Sequence, residues 1–385
     1  MNLKTAVLLL GVTAMSTGAA LAQEDDHRIP HLDHVYVIMM ENHHISQILG
    51  NPNAPFITSY AHSANLANNY FAVGHPSLTN YLESVGGSNF GIVNDNSPAW
   101  HLSEPDCVNS LATFVDETAT QNACPISGSG MDAATPAVDT TNEGTPAEPI
   151  HNAPFAPAPT VGMTIADQLV EHGMTWKAYE ENLPPYGADN VNNSDGLISD
   201  NGVTQTEPFL PKLYAVKHDP FVYFASVEAG TTPGLSVKQI TDFGSLYADL
   251  ASGHSPNFSY IVPNQCHDQH ARGTSEVGTG CSDEQSDIAQ GDAAVATLIT
   301  SIKGSKAWKQ GNNAIVLVWD ENDYSSLPNQ VIATVDTNYS KGGKVSNKSY
   351  NHFSLLKTIE TGFGLSYINH AADKNVKVMS DLFGR

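Results

Sequence analysis

Three apolar runs that end abruptly in acids and amides constrain this chain most. His34-Val35-Tyr36-Val37-Ile38-Met39-Met40 gives way to Glu41-Asn42-His43-His44, and Asn313-Ala314-Ile315-Val316-Leu317-Val318-Trp319 gives way to Asp320-Glu321-Asn322-Asp323. Phe258-Ser259-Tyr260-Ile261-Val262 leads in the same way into Pro263-Asn264-Gln265-Cys266-His267-Asp268. A strand with one wet face alternates apolar and polar residues, whereas a strand covered on both faces is apolar throughout. The runs therefore read as buried parallel strands. Phe221-Val222-Tyr223-Phe224 reads as a shorter strand of the same kind.

Helical patterns lie between them. Thr164 to His172 carries Ile165, Leu169 and Val170 at helical spacing and stops at Gly173. Ser286 to Ile302 carries Ile288, Val295, Leu298, Ile299 and Ile302, and Phe353 to Ile359 stops near Gly362. Strands alternating with helices predict an α/β fold, with a mostly parallel central sheet covered by helices on both faces. The stretch from about 94 to 160 is rich in Ala, Pro, Thr, Ser and Gly, and reads as a surface insertion in a single catalytic domain over 23–385.

Residues 1–22 read as an export signal: Lys4 is the positive region, Ala6 to Val12 the apolar region, and Ala20-Leu21-Ala22 the cleavage site. The apolar run is shorter than the ~20 residues a membrane span needs, and no other stretch is long and apolar enough. The expected product is exported, periplasmic or secreted. Export permits disulfides, and the four cysteines then predict two. Cys107–Cys124 and Cys266–Cys281 are the favoured pairs, because each closes a short polar loop; no C-x-x-C spacing points to a cysteine metal site.

Among 385 residues, Lys+Arg total 17 and Asp+Glu total 40, for a formal net charge of -23. Only Arg28, Arg272 and Arg385 are arginines. Such a surface repels a phosphodiester backbone and is not held on anionic membranes by basic patches. A small substrate that reaches a neutralised site is compatible with it.

In open parallel sheets, ligands bind beyond the carboxyl ends of the strands. Three strand ends here carry Glu41-Asn42, Asn264 to His270, and Asp320-Glu321. Taken singly, each cluster reads as a solvated strand end. Gathered at one edge, the carboxylates need a cation, and an oxygen-rich set suits Ca²⁺, Mg²⁺ or Mn²⁺, with Zn²⁺ admitted by nearby histidines. Ser77, in Gly74-His75-Pro76-Ser77-Leu78-Thr79-Asn80-Tyr81, opens a helical pattern through Tyr81, Leu82 and Val85. It reads as a helix N-cap, and also as a nucleophile, since a helix N-terminus favours an anion and a metal lowers the pKa of a bound hydroxyl.

These residues resemble the bacterial and fungal secreted phosphoesterases, a family within the alkaline-phosphatase superfamily that includes acid phosphatases and phospholipases C. The resemblance is carried by Glu41-Asn42, Ala54-Pro55-Phe56, Asn69-Tyr70-Phe71-Ala72-Val73, His75-Pro76-Ser77 with Asn80-Tyr81, Ile261-Val262-Pro263-Asn264 with His267-Asp268, Trp319-Asp320-Glu321, and Tyr350-Asn351-His352-Phe353 continuing to Glu360. It runs from about residue 33 to 365 and leaves the insertion unmatched.

The resemblance implies an alkaline-phosphatase-like fold and a set of roles. Ser77 matches the nucleophile. Glu41, Ser77, Asp320 and Glu321 would hold one divalent metal per chain. Asn42, Asn80 and His352 would face phosphate. Asn264, Asp268 and His270 fall where related enzymes hold a second metal, with Asn and Asp in place of the usual aspartate and histidine. His267, His270 or His352 would protonate the leaving oxygen, and His43, His44 and His75 would support their neighbours. Lys341, Lys344 and Lys348 read either as a head-group contact or as a solvated basic loop. The implied activity is a secreted, metal-dependent acid phosphatase working through a phosphoserine, on a small phosphate ester or a phosphoinositide such as phosphatidylinositol 3-phosphate. The rival readings are a phospholipase C and a non-catalytic binding protein on the same fold.

Overall fold

The computed structural model describes residues 29–92, 94–98, 107–108, 122–127, 129–130, 160–184, 188, 198–200, 203–205, 213–270, 281, 283–324 and 328–384. The predicted export signal lies outside them, as does most of the predicted insertion. Eight strands form the central sheet: β1 (His34–Met40), β2 (Asn65–Phe71), β3 (Trp176–Glu180), β4 (Ile240–Asp242), β5 (Phe258–Val262), β6 (Asn313–Trp319), β7 (Ala333–Thr337) and β8 (Val345–Asn351). Their order is β4-β3-β5-β1-β6-β7-β2-β8. Only β7 runs against its neighbours. The α/β architecture expected from the apolar runs is therefore present.

The three long apolar runs occupy the middle of the sheet, side by side. β1 pairs in parallel with β5, Val37 opposite Tyr260, and with β6, Met40 opposite Trp319. All residues of β5 and β6 are buried, and so are all but the first of β1. Full burial of both faces explains why these runs lack alternation. β2 and β8 are quite different. β8 reads Val-Ser-Asn-Lys-Ser-Tyr-Asn and is largely exposed over its first five residues. An edge strand needs few apolar side chains, so no continuous run announces it.

Phe221–Phe224 is not a strand. Pro220–Tyr223 forms a 3-10 turn, with Pro220 in its first position. Four buried apolar residues satisfy a helical turn as well as a strand, and periodicity over so short a run does not separate them. Phe221 packs on Trp176 with ring centroids 4.6 Å apart.

The helices needed here are α1 (Pro55–Ser63), α2 (Ser77–Gly86), α3 (Ile165–Glu171), α4 (Phe243–Ser252), α5 (Glu284–Gly304) and α6 (His352–Phe363). α3 is held by the Thr164 capping box and its chain turns at Gly173, φ 72°. α6 continues past Gly362 and ends at Gly364, which adopts the left-handed conformation. α2 is buried along its whole length and packs against α6, while α1 packs against α5. Buried apolar residues from Leu32 to Phe383 form one continuous cluster.

Candidate active site

The sheet order brings the three polar strand ends together. The amide of Asp320 donates to the Met40 carbonyl at 2.9 Å, and the amide of Glu41 donates to the Asp268 carbonyl at 2.8 Å. Glu41, Asp268, Asp320 and Glu321 are all buried. Asn42 follows with φ 44°, a left-handed conformation that asparagine tolerates. Its amide donates to Asp320 Oδ1 at 3.3 Å, as does the Glu321 amide at 2.6 Å.

Ser77 is brought in from above this edge. The helix N-cap is Pro76, and Ser77 is the first helical residue, so the N-cap reading of Ser77 does not hold. Its hydroxyl lies 3.1 Å from Glu41 Oε2 and 3.2 Å from Glu321 Oε1. One hydroxyl proton thus faces two carboxylates. The capping task falls to Asp95, whose Oδ1 accepts from the Leu78 amide at 3.1 Å. Asp95 is buried and belongs to the start of the stretch read as a surface insertion.

Asn80 locks the approach to the helix. Its Oδ1 accepts from the amides of Val73 and Gly74 at 3.0 and 3.1 Å, and its Nδ2 donates to Gly74 O at 2.9 Å and Glu321 Oε2 at 3.1 Å. Its polar atoms are engaged within the protein, which makes it a positioning group for Glu321. His75 holds the same carboxylate, with Nδ1 2.7 Å from Glu321 Oε2.

On the other side of Glu41 stand His218 and His270. His218 Nε2 lies 3.1 Å from Glu41 Oε1, and His218 Nδ1 lies 3.4 Å from Asp268 Oδ2. His270 Nε2 lies 4.0 Å from Glu41 Oε2. His218 is stacked on Tyr81, with ring centroids 5.2 Å apart. Glu41, His218 and His270 offer ligand atoms close enough together for one cation. Lys217 is buried beside them, its Nζ 2.8 Å from Asp95 Oδ2. Sequence reading missed His218, Lys217 and Asp95. None sits at the end of an apolar strand, and a single His or Lys in a loop carries no pattern.

The electrostatics of this cluster suit a cation. Burial pushes the Glu41 carboxyl up to about 7, partly opposed by Lys217. Burial, then mutual repulsion with Glu41, raises Asp268, Asp320 and Glu321 well above the usual carboxylate range. Burial holds His218 and His270 well below 6.5, in the neutral form that can ligate. Glu41 Oε1, Asp320 Oδ2, Asp268 Oδ2 and His218 Nε2 are buried without a hydrogen-bond partner. Glu41 Oε1 and His218 Nε2 approach each other, but not in hydrogen-bond geometry. Several buried, unsatisfied carboxylate oxygens and imidazole nitrogens aimed at one space fit a divalent metal; an apolar or purely protonated site would leave each of them costly. Among the described residues of this cluster, Glu41, His218 and His270 are the ones whose ligand atoms converge, while Glu321 reaches it through Ser77 and Asp320 through the Asn42 and Glu321 amides.

The Phosphoesterase family description matches residues 51–366. The chain belongs to the Phosphoesterase family. It is 24% identical to a phosphatidylinositol-3-phosphatase of Mycobacterium tuberculosis, over 92% of this chain and 84% of that one. It is 23% identical to an acid phosphatase of Aspergillus fumigatus over 78% of this chain, and 22% identical to a probable acid phosphatase of Kluyveromyces lactis over 89%. It spans 48% and 61% of those two fungal proteins. Solved structures that superpose on it include an alkaline-phosphatase-superfamily protein from Vibrio parahaemolyticus, TM-score 0.48, 11% identity, covering 90% of this chain and 71% of that one. The chain is accordingly a phosphoric ester hydrolase.

The remaining expected residues of this phosphoesterase fall around the cluster. His352 is fully buried, with Nε2 2.6 Å from the Asp320 carbonyl and Nδ1 3.0 Å from the Tyr70 hydroxyl. Both ring nitrogens are used, so it braces the Asp320 backbone and does not face a substrate in this arrangement. His267 turns away, its Nδ1 2.8 Å from both oxygens of Glu181. Asn264 organises the turn, accepting from the amides of Cys266 and His267 at 2.9 and 3.0 Å. Asp268 and His270 do reach the cluster. His43 Nδ1 bonds the Glu41 carbonyl at 3.1 Å, and His44 caps the short helix that follows. Lys348 lies 3.6 Å from Asp381.

Cys266 and Cys281 form a disulfide, Cα–Cα 5.6 Å, which closes the loop that carries Asp268 and His270. Cys124 is also disulfide-bonded. The side chain of Cys107, its expected partner, lies outside those described. A cavity of about 290 Å³ opens beside the cluster, lined by Asn42 and His270 on one side and Asp323 and Tyr324 on another. Tyr324 stacks on His75, with ring centroids 3.8 Å apart.

Proposed function

We propose that this phosphoesterase is an exported, metal-dependent phosphomonoesterase of the acid phosphatase type, working through a phosphoseryl intermediate on Ser77. One observation carries the reading: a serine hydroxyl at the start of a buried helix, within 3.1 and 3.2 Å of two buried carboxylates, one of which, Glu41, keeps an oxygen without a hydrogen-bond partner. Glu41, Asp320 and Glu321 would hold a divalent cation, which would offset the phosphate charge and lower the pKa of the serine hydroxyl. The hydroxyl proton leaves toward Glu41 or Glu321. The Ser77 Oγ–P bond forms as the bond from phosphorus to the ester oxygen breaks, and the departing oxygen takes a proton. Water then attacks phosphorus and regenerates Ser77.

The chain's own groups account for the rest. Asn80 and His75 hold Glu321 in place, and His352 holds the Asp320 backbone. Asn42 Oδ1 is buried without a partner and Asn42 lines the cavity, an acceptor that suits the ion, while the Asn42 Nδ2 amide would be the donor for an incoming phosphate. His270 lines the cavity and supplies the imidazole on the leaving-group side. Export rests on the sequence of residues 1–22. Among the described residues no helix is long and apolar enough to cross a membrane. A phosphoinositide as substrate is supported by the name of the mycobacterial relative.

Hydrolysis of p-nitrophenyl phosphate by metal-loaded protein tests the reading. Ser77→Ala should lose about 10³-fold or more in kcat while its thermal unfolding changes little. Acid quenching during turnover should leave phosphate on the peptide containing Ser77, detected by mass spectrometry. A Ser77→Ala protein that keeps near-wild-type turnover would remove Ser77 as nucleophile. Faster cleavage of a phosphocholine diester than of any monoester would move the protein to the phospholipase C reading.

A further inference from the structure

The loop after β5 carries two residues of the cluster with one residue between them. Asp268 and His270 reach toward His218 and Glu41, while Gln269 points the other way, into the space between β6 and α5. Its side chain is fully buried. Nε2 donates to the Ile288 carbonyl of α5 at 3.1 Å, and Oε1 accepts from Trp319 Nε1 at 3.1 Å. Trp319 is the last residue of β6, directly before Asp320-Glu321. Backbone bonds already tie the end of β1 to both its neighbours, Glu41 to Asp268 and Met40 to Asp320. Gln269 adds the third side of this triangle, joining the loop after β5 to the end of β6.

Two local rules are broken to place that side chain. Gln269 has φ 81°, a left-handed backbone that glycine would adopt without strain. Glycine there would lose both side-chain bonds. A glycine stands instead at Gly291, buried inside α5, where alanine would favour the helix. A Cβ at 291 would overlap Gln269 Cγ and lie 2.8 Å from its Cδ and Nε2. The helix therefore forgoes a side chain where the glutamine crosses it. An apolar residue at 269 facing alanine at 291 would fill the space without burying an amide. What the amide adds is direction, because two hydrogen bonds fix the turn between Asp268 and His270. We propose that Gln269 is a positioning residue for the site: its bridge from α5 to Trp319 holds Asp268 and His270 against Glu41 and His218, and Gly291 is the space that admits it. This rests on the phosphomonoesterase reading, in which that cluster serves the chemistry.

Gly291→Ala displaces the bridge without altering any group of the cluster, and Gln269→Met removes the amide at similar length. Both are compared with wild type at a temperature where circular dichroism shows each protein folded; if Gly291→Ala does not fold, Gln269→Met decides. The first readout is calorimetric titration of chelator-treated protein with Zn²⁺ and Mn²⁺. Affinity for whichever ion wild type binds more tightly should fall about tenfold or more in each variant. The second is hydrolysis of p-nitrophenyl phosphate by metal-loaded protein, where kcat should fall about tenfold with KM nearly unchanged. Gly291→Ala should add little to Gln269→Ala, because the group it strikes is gone. Either loss in Gln269→Met upholds the proposal. Wild-type metal affinity and kcat in that variant, even with a lowered melting temperature, mark a merely structural bridge and overturn it, leaving the phosphatase reading on the wild-type turnover. Losses at 269 and 291 that simply add overturn the role of Gly291. A wild type that turns over no monoester overturns the phosphatase reading, while weaker metal binding in the variants still upholds the bridge; a wild type that also binds neither ion overturns both.

Discussion

At the residue scale, His352 shows how a side chain can matter to a site without touching the substrate. The Asp320 carbonyl can only accept, so His352 Nε2 carries the proton, and Nδ1 accepts from the Tyr70 hydroxyl. A second proton would turn that acceptor into a donor inside a fully buried site. Burial accordingly depresses the His352 pKa to about 4. An unfolded histidine titrates near 6.5. Between these values the unfolded chain binds more protons, so this residue's contribution is intact above 6.5 and is lost as the pH falls toward 4. The raised carboxyls of Glu41, Asp268, Asp320 and Glu321 act with the opposite sign. Comparing wild type with His352→Gln therefore isolates the histidine. Thermal unfolding from pH 7 to 4 should show a shallower acid loss in the variant, whose stability at pH 7 is lower. Parallel pH profiles would show that His352 already titrates freely. The role of His352 was the hardest to read from sequence, because a buried bracing histidine and a catalytic one have the same letter.

At the element scale, α2 is the part that most depends on the rest of the chain. Its helical pattern through Tyr81, Leu82 and Val85 is plain in the sequence, and so is the serine at its start. What caps it is not. Pro76 offers no side-chain acceptor, and the cap comes from Asp95, which also pairs with Lys217. Both partners of that ion pair are buried, at 1% and 3% side-chain exposure. Removing one member leaves a buried charge unpaired, at a cost of about 3–5 kcal/mol. Losing the cap adds about 1 kcal/mol. Asp95→Leu should therefore be strongly destabilising by urea denaturation. The Asp95→Leu, Lys217→Met double variant should recover much of that loss, because no unpaired charge is left. Additive effects would mean that the pair is not coupled.

At the scale of the whole molecule, the sheet order converts dispersed acids into one cluster. Neighbouring β5, β1 and β6 are distant in the chain, yet their ends place Asp268, Glu41 and Asp320-Glu321 together. The folded protein carries that repulsion wherever a cation does not relieve it. Chelation should abolish turnover and lower the melting temperature, and either effect should reverse on adding metal. A ligand at 1,000 times its Kd stabilises by about 4 kcal/mol, so the shift is readily measured. Protons compete for the same oxygens, so metal affinity should fall as the pH drops through about 7, where Glu41 takes up its proton. Full turnover after verified metal removal would end the metal-dependent reading.

The parts legible in the sequence are those written as runs. Apolar stretches that exclude water on both faces must be central strands, and the acids where they stop must lie at the sheet's carboxyl edge. That logic locates Glu41, Asp268, Asp320 and Glu321, and the family motifs add Ser77. The edge strand Val345–Asn351 and its neighbour Asn65–Phe71 escaped it because a half-solvated strand needs no apolar run. The four residues of Phe221–Phe224 misled it because burial alone does not choose between strand and turn. Only the tertiary structure decides which of the chain's 16 histidines meet the carboxylates. His218 arrives from a short 3-10 helix and His270 from the loop after β5, and His267 is turned toward Glu181. A side chain's direction in a loop depends on partners far away in sequence, whereas a strand's burial is written in its own residues.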